Sequence, residues 1–326
     1  MSKFSVALMR MLILGALLGI ADPAAAQKDY PNKPIRLIVP YATGGSTDPL
    51  ARLLGQKLSE SWGQQVAVDN RPGGNTIIGT EALAKSPADG YTLIMVLATH
   101  VILPYLYNSL PYDAIKDFAP VATFAMNEQV MVLHPSVPAN NLREFIALAK
   151  AKPGQLNYSS SGSGGVNHLA EELFCILAGI KVQHVPYKGG GPALADLVAG
   201  QVQMYFGPPI IVIPFIKSGR IKAIAVSGEH RLSALPQVPT FTEAGLPGLD
   251  AKVWYGILAP AGTPKDIIDK LSVAIAKILA TTDVKEKLVL QGMEPFSAGP
   301  GEFAALLKAD MAKFGTVIKT ANIKIE

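Results

Sequence analysis

Short apolar runs alternate along this chain with longer stretches in which apolar residues recur every three to four positions. IRLIVP precedes DPLARLLGQKLSES, QQVAVDN precedes the turn RPGGN and then IIGTEALAKS, and YTLIMVLAT follows the turn PADG. A short buried run reads as a strand and a 3.6-residue period as one face of a helix, so the alternation predicts βαβ units and largely parallel sheets. The theme returns after residue 127: EQVMVLH reads as a strand, NLREFIALAKA as a helix stopped by Pro153-Gly154, and LNYSS as a strand. VNHLAEELFCILAG is a helix with Gly179 past its end, followed by VQHVPY as a strand, PALADLVAG as a helix and QVQMYF as a strand. IIVIPFIKSG is a short helix and RIKAIAVS a strand. A proline-rich stretch, LPQVPTFTEAGLPG, carries the chain to AKVWYGILAP. Three helices follow. PKDIIDKLSVAIAKILA has Thr263 as its expected cap and Pro264 in its first turn, DVKEKLVLQG ends at Gly292, and the last runs from near Gly301 to about Thr320.

Two such α/β halves with a helical tail predict a hinged pair of lobes. The expected division is 27–127 plus 253–326 for lobe 1 and 128–252 for lobe 2, with the chain crossing near Asn127 and near Val253. Residues 1–26 stand apart. Lys3 and Arg10 give a positive start, MLILGALLGIA is apolar but too short to span a bilayer, and Ala24 and Ala26 fit the small-residue rule before a cut, which leaves Gln27 first. This predicts a cleaved signal peptide and a periplasmic protein. No later run approaches the ~18 apolar residues of a spanning helix. The remaining chain, about 300 residues, suffices for two cores.

Charge and cysteine content narrow the function. A net charge of +4 without a basic block, or basic residues interleaved with aromatic ones, gives no nucleic-acid signal. Cys175 is the single cysteine, so no internal disulfide forms; it falls in an apolar helical stretch and reads as core filler.

The candidate chemistry lies in three loops of one type: PYATGGSTDPLAR from Pro40, YSSSGSGGVNHLAEEL from Tyr158, and VPYKGGGPALADL from Val185. Each passes from a strand end through glycines and small polar residues into a helix start. The first turn of a helix leaves amide N–H groups unpaired and carries roughly half a positive charge. Glycine lets a ligand approach those amides, so such ends bind anions, and in parallel α/β sheets ligands sit at these strand ends. Glycine and serine are also what any strand-to-helix turn prefers; the repetition of the loop is what favours a shared anion site. No Walker loop is present, and after Gly162 and Gly164 the dinucleotide pattern fails at Asn167. The nucleophile elbow fails too, because Ser46 is flanked by Gly44 and Asp48, and Ser163 by Ser161 and Gly165. His100, His134, His168, His184 and His230 show no metal-ligand spacing. No cofactor and no metal are therefore expected. Asp48, before Pro49, reads first as a helix cap, and His168 as a local hydrogen-bond partner close enough to its loop to join the site. Arg52 and Arg71 are expected to pair with Asp48 or Asp69, and Lys188 stands in the third loop as a possible attractor for an anion.

These stretches, together with VDNRPGGNTIIGTEALAKSPADGYTL, LPYDAIKDFAPVA and RIKAIAVSGEHR, closely resemble the Bug family, the extracytoplasmic solute receptors of tripartite tricarboxylate transporters. The resemblance runs in order through essentially all of the chain after residue 26. It implies a type II periplasmic binding fold, two α/β lobes joined by two crossing strands, and a monomer that closes on a small carboxylate and docks on membrane permease subunits. For the site it implies Tyr41, Thr43, Gly44, Gly45, Ser46, Thr47 and Asp48 from the first loop. From the other lobe it implies Ser159, Ser161, Gly162, Ser163, Gly164 and His168, with Lys188, Gly189 and Gly190; Thr99 and His100 match a strand-end position that can face the cleft. Gly207, Pro208 and Pro209 stand where many relatives carry an aspartate or another polar residue. That departure removes a partner for a ligand ammonium and favours a plain carboxylate, with Tyr41 and Tyr205 suited to an aromatic one. Two other classes stay open: a sensor component that delivers ligand to a membrane kinase, separable by ligand-dependent crosslinking, and an exported hydrolase or lyase, separable by turnover of a bound carboxylate.

Overall fold

Continuous apolar runs become central strands. In the computed structural model, which describes residues 30–321, Ile35, Leu37, Ile38 and Val39 are all buried in the middle of a sheet. The segment read as a signal peptide lies outside the described residues. In chain order the elements of the first half are β1 (Ile35–Val39), α1 (Thr47–Trp62), β2 (Val66–Asn70), α2 (Ile77–Ala84), β3 (Thr92–Val96), α3 (Thr99–Ile102) and β4 (Phe118–Asn127). Next come β5 (Val130–Leu133), α4 (Leu142–Ala151), β6 (Asn157–Ser160), α5 (Val166–Ala178), β7 (Gln183–Pro186), α6 (Gly190–Val198), β8 (Met204–Gly207), α7 (Pro209–Lys217) and β9 (Lys222–Val226). The chain ends with β10 (Val253–Pro260), α8 (Lys265–Ala280), α9 (Thr282–Leu290), β11 (Glu294–Pro295) and α10 (Pro300–Ala321).

Two sheets result, in the orders β11-β4-β10-β3-β1-β2 and β7-β6-β8-β5-β9. β1 runs parallel to β2 and β3, and β6 parallel to β7 and β8, as βαβ units require. β10 pairs antiparallel with β3 and β4, and β5 antiparallel with β8 and β9. These antiparallel strands are the ones that have just crossed from the other lobe. After β4 only Glu128 and Gln129 separate the two sheets, and Val253 of the returning strand pairs with Asn127, so the crossings lie side by side.

The sheet of lobe 2 is apolar on both faces. Met131, Leu133, Met204 and Phe206 point into one core, while Val130, Val132 and Tyr205 point into another, the period-two alternation of a strand covered on both sides. The core of lobe 1 extends across the cleft to include Val166 and Leu169 of α5.

Two expected helix starts shift. Thr263 does not cap α8; its hydroxyl donates to the Pro260 carbonyl at 2.8 Å, and Pro264, extended at ψ 138°, holds the cap position. Asp48 does not cap α1; Ser46 precedes the helix and Asp48 falls in its first turn. β4 has no counterpart in the apolar pattern as read, since Pro120 interrupts its run; it is tolerated where the pairing with β10 is irregular.

The C-terminal helix docks on β10 through Phe303, which is fully buried against Trp254 with ring centroids 5.3 Å apart. Trp254 Nε1 donates to Asp310 Oδ2 at 2.6 Å. Gly256 leaves room for that ring, for an added Cβ would lie 2.8 Å from two of its carbons. Gly256→Val should therefore overpack this contact and cost about 1–3 kcal/mol, and Phe303→Ala about 3–5 kcal/mol. Urea denaturation monitored by tryptophan fluorescence checks both.

Candidate functional site

The first loop enters α1 through a hydrogen-bonded anchor. The Tyr255 hydroxyl donates to Asn127 Oδ1 at 2.9 Å and lies 2.8 Å from Ser46 Oγ, from which it accepts. One tyrosine of β10 thus ties the first loop to the end of β4 at the lobe crossing. Asp48 is paired with Arg52, its Oδ2 accepting from Nε at 3.1 Å, and Asp69 is paired with Arg36 and Arg71. Both carboxylates are committed to these pairs, and neither lines the cleft.

The second loop is shaped by its own side chains. Asn167 Oδ1 accepts from the Ser161 hydroxyl at 2.7 Å, which orients the amide and leaves Nδ2 as a buried donor without a partner. His168 Nδ1 accepts the Gly164 N–H at 2.9 Å, and its ring stacks on His184 with centroids 3.9 Å apart. His168 is thus the local partner the sequence suggested, and it is buried. Ser159 Oγ donates to the Ala193 carbonyl at 3.2 Å and so fixes the start of α6 on β6.

The third loop meets the first almost backbone to backbone. The Ala42 N–H donates to the Lys188 carbonyl at 3.1 Å. A Cβ on Gly191 would lie 3.0 Å from Gly44 C, and one on Gly189 would lie 3.1 Å from Ala42 N. The lobes are therefore closed on one another here.

Between them lies an inner cavity of about 30 Å³, walled by Tyr41, Gly45, Ser46, Thr47 and Leu97 from lobe 1 and by Ser161, Val166, Asn167, Gly190, Tyr205 and Pro208 from lobe 2. Gln129, Val253 and Tyr255 close it at the crossings. An outer cavity of about 300 Å³ shares Tyr41 and Ser161 with it and is lined also by Gly73–Thr76, Tyr107, Gly162, Ser163, Tyr187 and Lys188.

The expected site residues divide accordingly. Tyr41, Gly45, Ser46, Thr47, Ser161, Gly190 and Tyr205 meet at the inner cavity; Gly162, Ser163 and Lys188 line the outer one. Thr43 and Gly44 are exposed and face Gly191, while Gly189 packs on Ala42. Asp48, Ser159, Gly164 and His168 support the loops as described. Thr99 sits against the Tyr41 hydroxyl. His100 turns into lobe 1, where Nε2 donates to the Ala114 carbonyl at 2.8 Å and the ring packs on Phe118. Gln129, Asn167 and Tyr255 were not expected. Gln129 and Asn167 carry no motif, and only their unpaired polar atoms, Gln129 Oε1 and Asn167 Nδ2, mark them. Pro208 lies in the wall of the inner cavity.

No charged side chain lines the inner cavity. Burial pushes the Tyr41, Tyr205 and Tyr255 hydroxyls well above their ordinary range, so they stay neutral donors. The starts of α1, α5, α6 and α7 all contribute wall residues, which places the positive ends of four helix dipoles around one small volume. Behind Asn167, Glu171 is fully buried and receives the Phe206 N–H at 2.6 Å; burial raises its carboxyl well above the usual range, and the carboxyl does not line the inner cavity. Among the described residues no group of three His, Cys, Asp or Glu can hold a metal ion, and no helix is long and apolar enough to cross a membrane.

The family model of the tripartite tricarboxylate transporter family receptor matches residues 50–323. Protein BugT of Bordetella pertussis is 36% identical over 313 residues, covering 95% of this chain and 96% of that protein. A structure of an R. palustris protein with adipate is 35% identical, with a TM-score of 0.88 over 90% of this chain and 99% of that one. MatC from Rhodopseudomonas palustris with bound malate is 31% identical, with a TM-score of 0.84 over 89% of this chain and 100% of that one.

The second loop should loosen in acid. Burial lowers His168 to about 4, and burial with the facing His168 lowers His184 to about 3. The unfolded chain takes up these protons first, near the ordinary value of about 6.5. The contribution to stability is thus complete above that value and is lost as pH falls toward 4. Urea midpoints should drop between pH 7 and pH 4.5, and His168→Gln should show a slope shallower by about one proton.

Proposed function

Because the chain belongs to the tripartite tricarboxylate transporter receptor family, we propose that it is a periplasmic solute receptor that captures a small carboxylate between its lobes and presents it to membrane permease subunits. The observation that carries this reading is the inner cavity: four helix starts and the unpaired Asn167 Nδ2 converge on it, and no carboxylate opposes them. Among the described residues, lobe 1 then comprises 30–127 plus 253–321 and lobe 2 comprises 128–252.

The inner volume, about 30 Å³, has room for roughly two waters or one carboxylate group. The carboxylate head sits there, and the rest of the ligand extends past Tyr41 and Ser161 into the outer cavity, where Lys188 meets a second acidic group. A dicarboxylate fits this arrangement best; an aromatic acid can lay its ring along Tyr41. With Pro208 in the wall, an ammonium group finds no anionic partner. The relatives solved with adipate and with malate hold ligands of this kind.

Closure is the binding event. The ligand completes its hydrogen bonds only when both lobes reach it, so it prefers the closed form. Moving a population from mostly open to mostly closed takes about 5 kcal/mol of such preference. Several charge-assisted hydrogen bonds at ~1.5–3 kcal/mol each supply it.

Thermal-shift measurements with adipate, malate, citrate, benzoate and glutamate test the ligand class. The dicarboxylates should raise the melting temperature, and glutamate should do so least; no shift with any of the five would end the carboxylate reading. Turnover of a bound acid would instead make the protein an enzyme. Gly191→Ala tests closure. Its Cβ would press on the Thr43 carbonyl and Gly44 only in the closed form. The variant should melt like the wild type without ligand and lose about fivefold to a hundredfold in affinity, since overpacking of this kind costs about 1–3 kcal/mol. Isothermal titration reads the difference.

A further inference from the structure

The turn RPGGN, between β2 and α2, carries a backbone that most residues avoid. Gly73, Gly74, Asn75 and Thr76 follow one another at positive φ: 124°, 54°, 52° and 77°. Asparagine tolerates the left-handed region, but for a β-branched threonine it is a genuine outlier. Thr76 is also buried, so the surrounding structure holds it there. Strain of this kind persists where contacts over-determine a geometry. Here the geometry aims Asn75 across the cleft.

Asn75 belongs to lobe 1, and its Nδ2 donates to the Ser163 carbonyl of lobe 2. Its Oδ1 occupies space that a side chain at position 162 would need, since a Cβ on Gly162 would lie 2.5 Å away. Beside it, Leu106 of lobe 1 packs on Gly164 in the same way. Two side chains of one lobe therefore grip a loop of the other that is stripped of side chains at both points. This contact is separate from the approach of Ala42 to Lys188; Asn75 does not line the inner cavity and stands in the wall of the outer one.

We propose that Asn75 is a latch: its side-chain amide clasps the Gly162–Gly164 loop and sets how often the lobes close before any ligand arrives. This rests on the reading of the protein as a hinged receptor. A contact made in the closed form alone raises the closed population of the empty protein. Apparent affinity scales with the fraction that is competent, so the latch tightens alike the binding of all ligands confined to the inner cavity, and the closed fraction of the empty protein is the direct reading of it. The left-handed backbone makes the test clean, because glycine accepts a φ of 52° and removes only the side chain.

Fluorescence energy transfer between dyes on Lys85→Cys and Lys181→Cys, exposed positions in the two lobes, reads the closed fraction of the ligand-free protein. Asn75→Gly should lower the closed-to-open ratio about fivefold, the scale of one net hydrogen bond. Asn75→Asp, which cannot donate when ionised, should be at least as open. Adipate should leave the Asn75→Gly protein faster by a similar factor, with its melting temperature unchanged in the absence of ligand. Closed fractions equal in the wild type and Asn75→Gly, none in either included, overturn the latch. If adipate fails to bind the wild type, the proposed ligand class fails while the ligand-free closed fractions still decide the latch.

Discussion

The first turns of α1, α5 and α6 leave amide hydrogens without backbone partners, and this chain aims those turns at one small cavity from both sides of a hinge, with Pro208 before α7 in the wall. Most else near the cleft follows from that constraint. Strand ends must pass into helices through loops small enough to approach one another, so the loops carry glycine where they meet. Added Cβ atoms at Gly189 and Gly191 would press on the backbone of Ala42 and Gly44. Charges that would compete with an anion are turned aside: Asp48 onto Arg52, Asp69 onto Arg36 and Arg71, and Glu171 into a buried site that raises its carboxyl.

A receptor that signals occupancy by its shape needs its pocket tied to its hinge. Here the tie is short. Ser46, in the ligand loop, meets the Tyr255 hydroxyl, which meets Asn127 at the end of β4. The next residues form the crossing itself. Glu128, buried and with its carboxyl raised by burial, takes a hydrogen bond from Ser227 at 3.1 Å and lies 3.6 Å from Lys252 on the returning strand. The Gln129 N–H donates to the same serine at 2.8 Å, and its side chain closes the inner cavity. The two crossings and the pocket thus share one contiguous hydrogen-bonded set, the kind of connection through which a hinge can respond to a ligand.

The lobes also touch where no ligand is needed. Ala42 on Lys188, Asn75 on Ser163 and Leu106 on Gly164 are contacts of the closed form itself. In the receptor proposed above, contacts of this kind lessen what a ligand must supply to hold the lobes shut.

The alternating apolar runs of the sequence determined the βαβ halves, the crossings near Asn127 and Val253, and the three glycine loops, because burial period and turn chemistry are local properties of a chain. They did not yield β4, whose Pro120 masks its run, nor the helix starts at Ser46 and Pro264, where backbone geometry rather than residue preference decides. The motif pattern likewise named Tyr41, Ser46 and Ser161, which line the inner cavity, yet it also offered His100, which faces the interior of lobe 1, and Lys188, which lines the outer cavity. Gln129, Asn167, Tyr255 and Asn75 emerged only in three dimensions. What they do depends on partners 88 to 209 positions away or on an atom left without a partner, as Tyr255 on Ser46, Asn75 on Ser163 and Asn167 Nδ2 show. Spacing along a chain records neither, since such pairs exist only once both sheets have formed and the lobes have met.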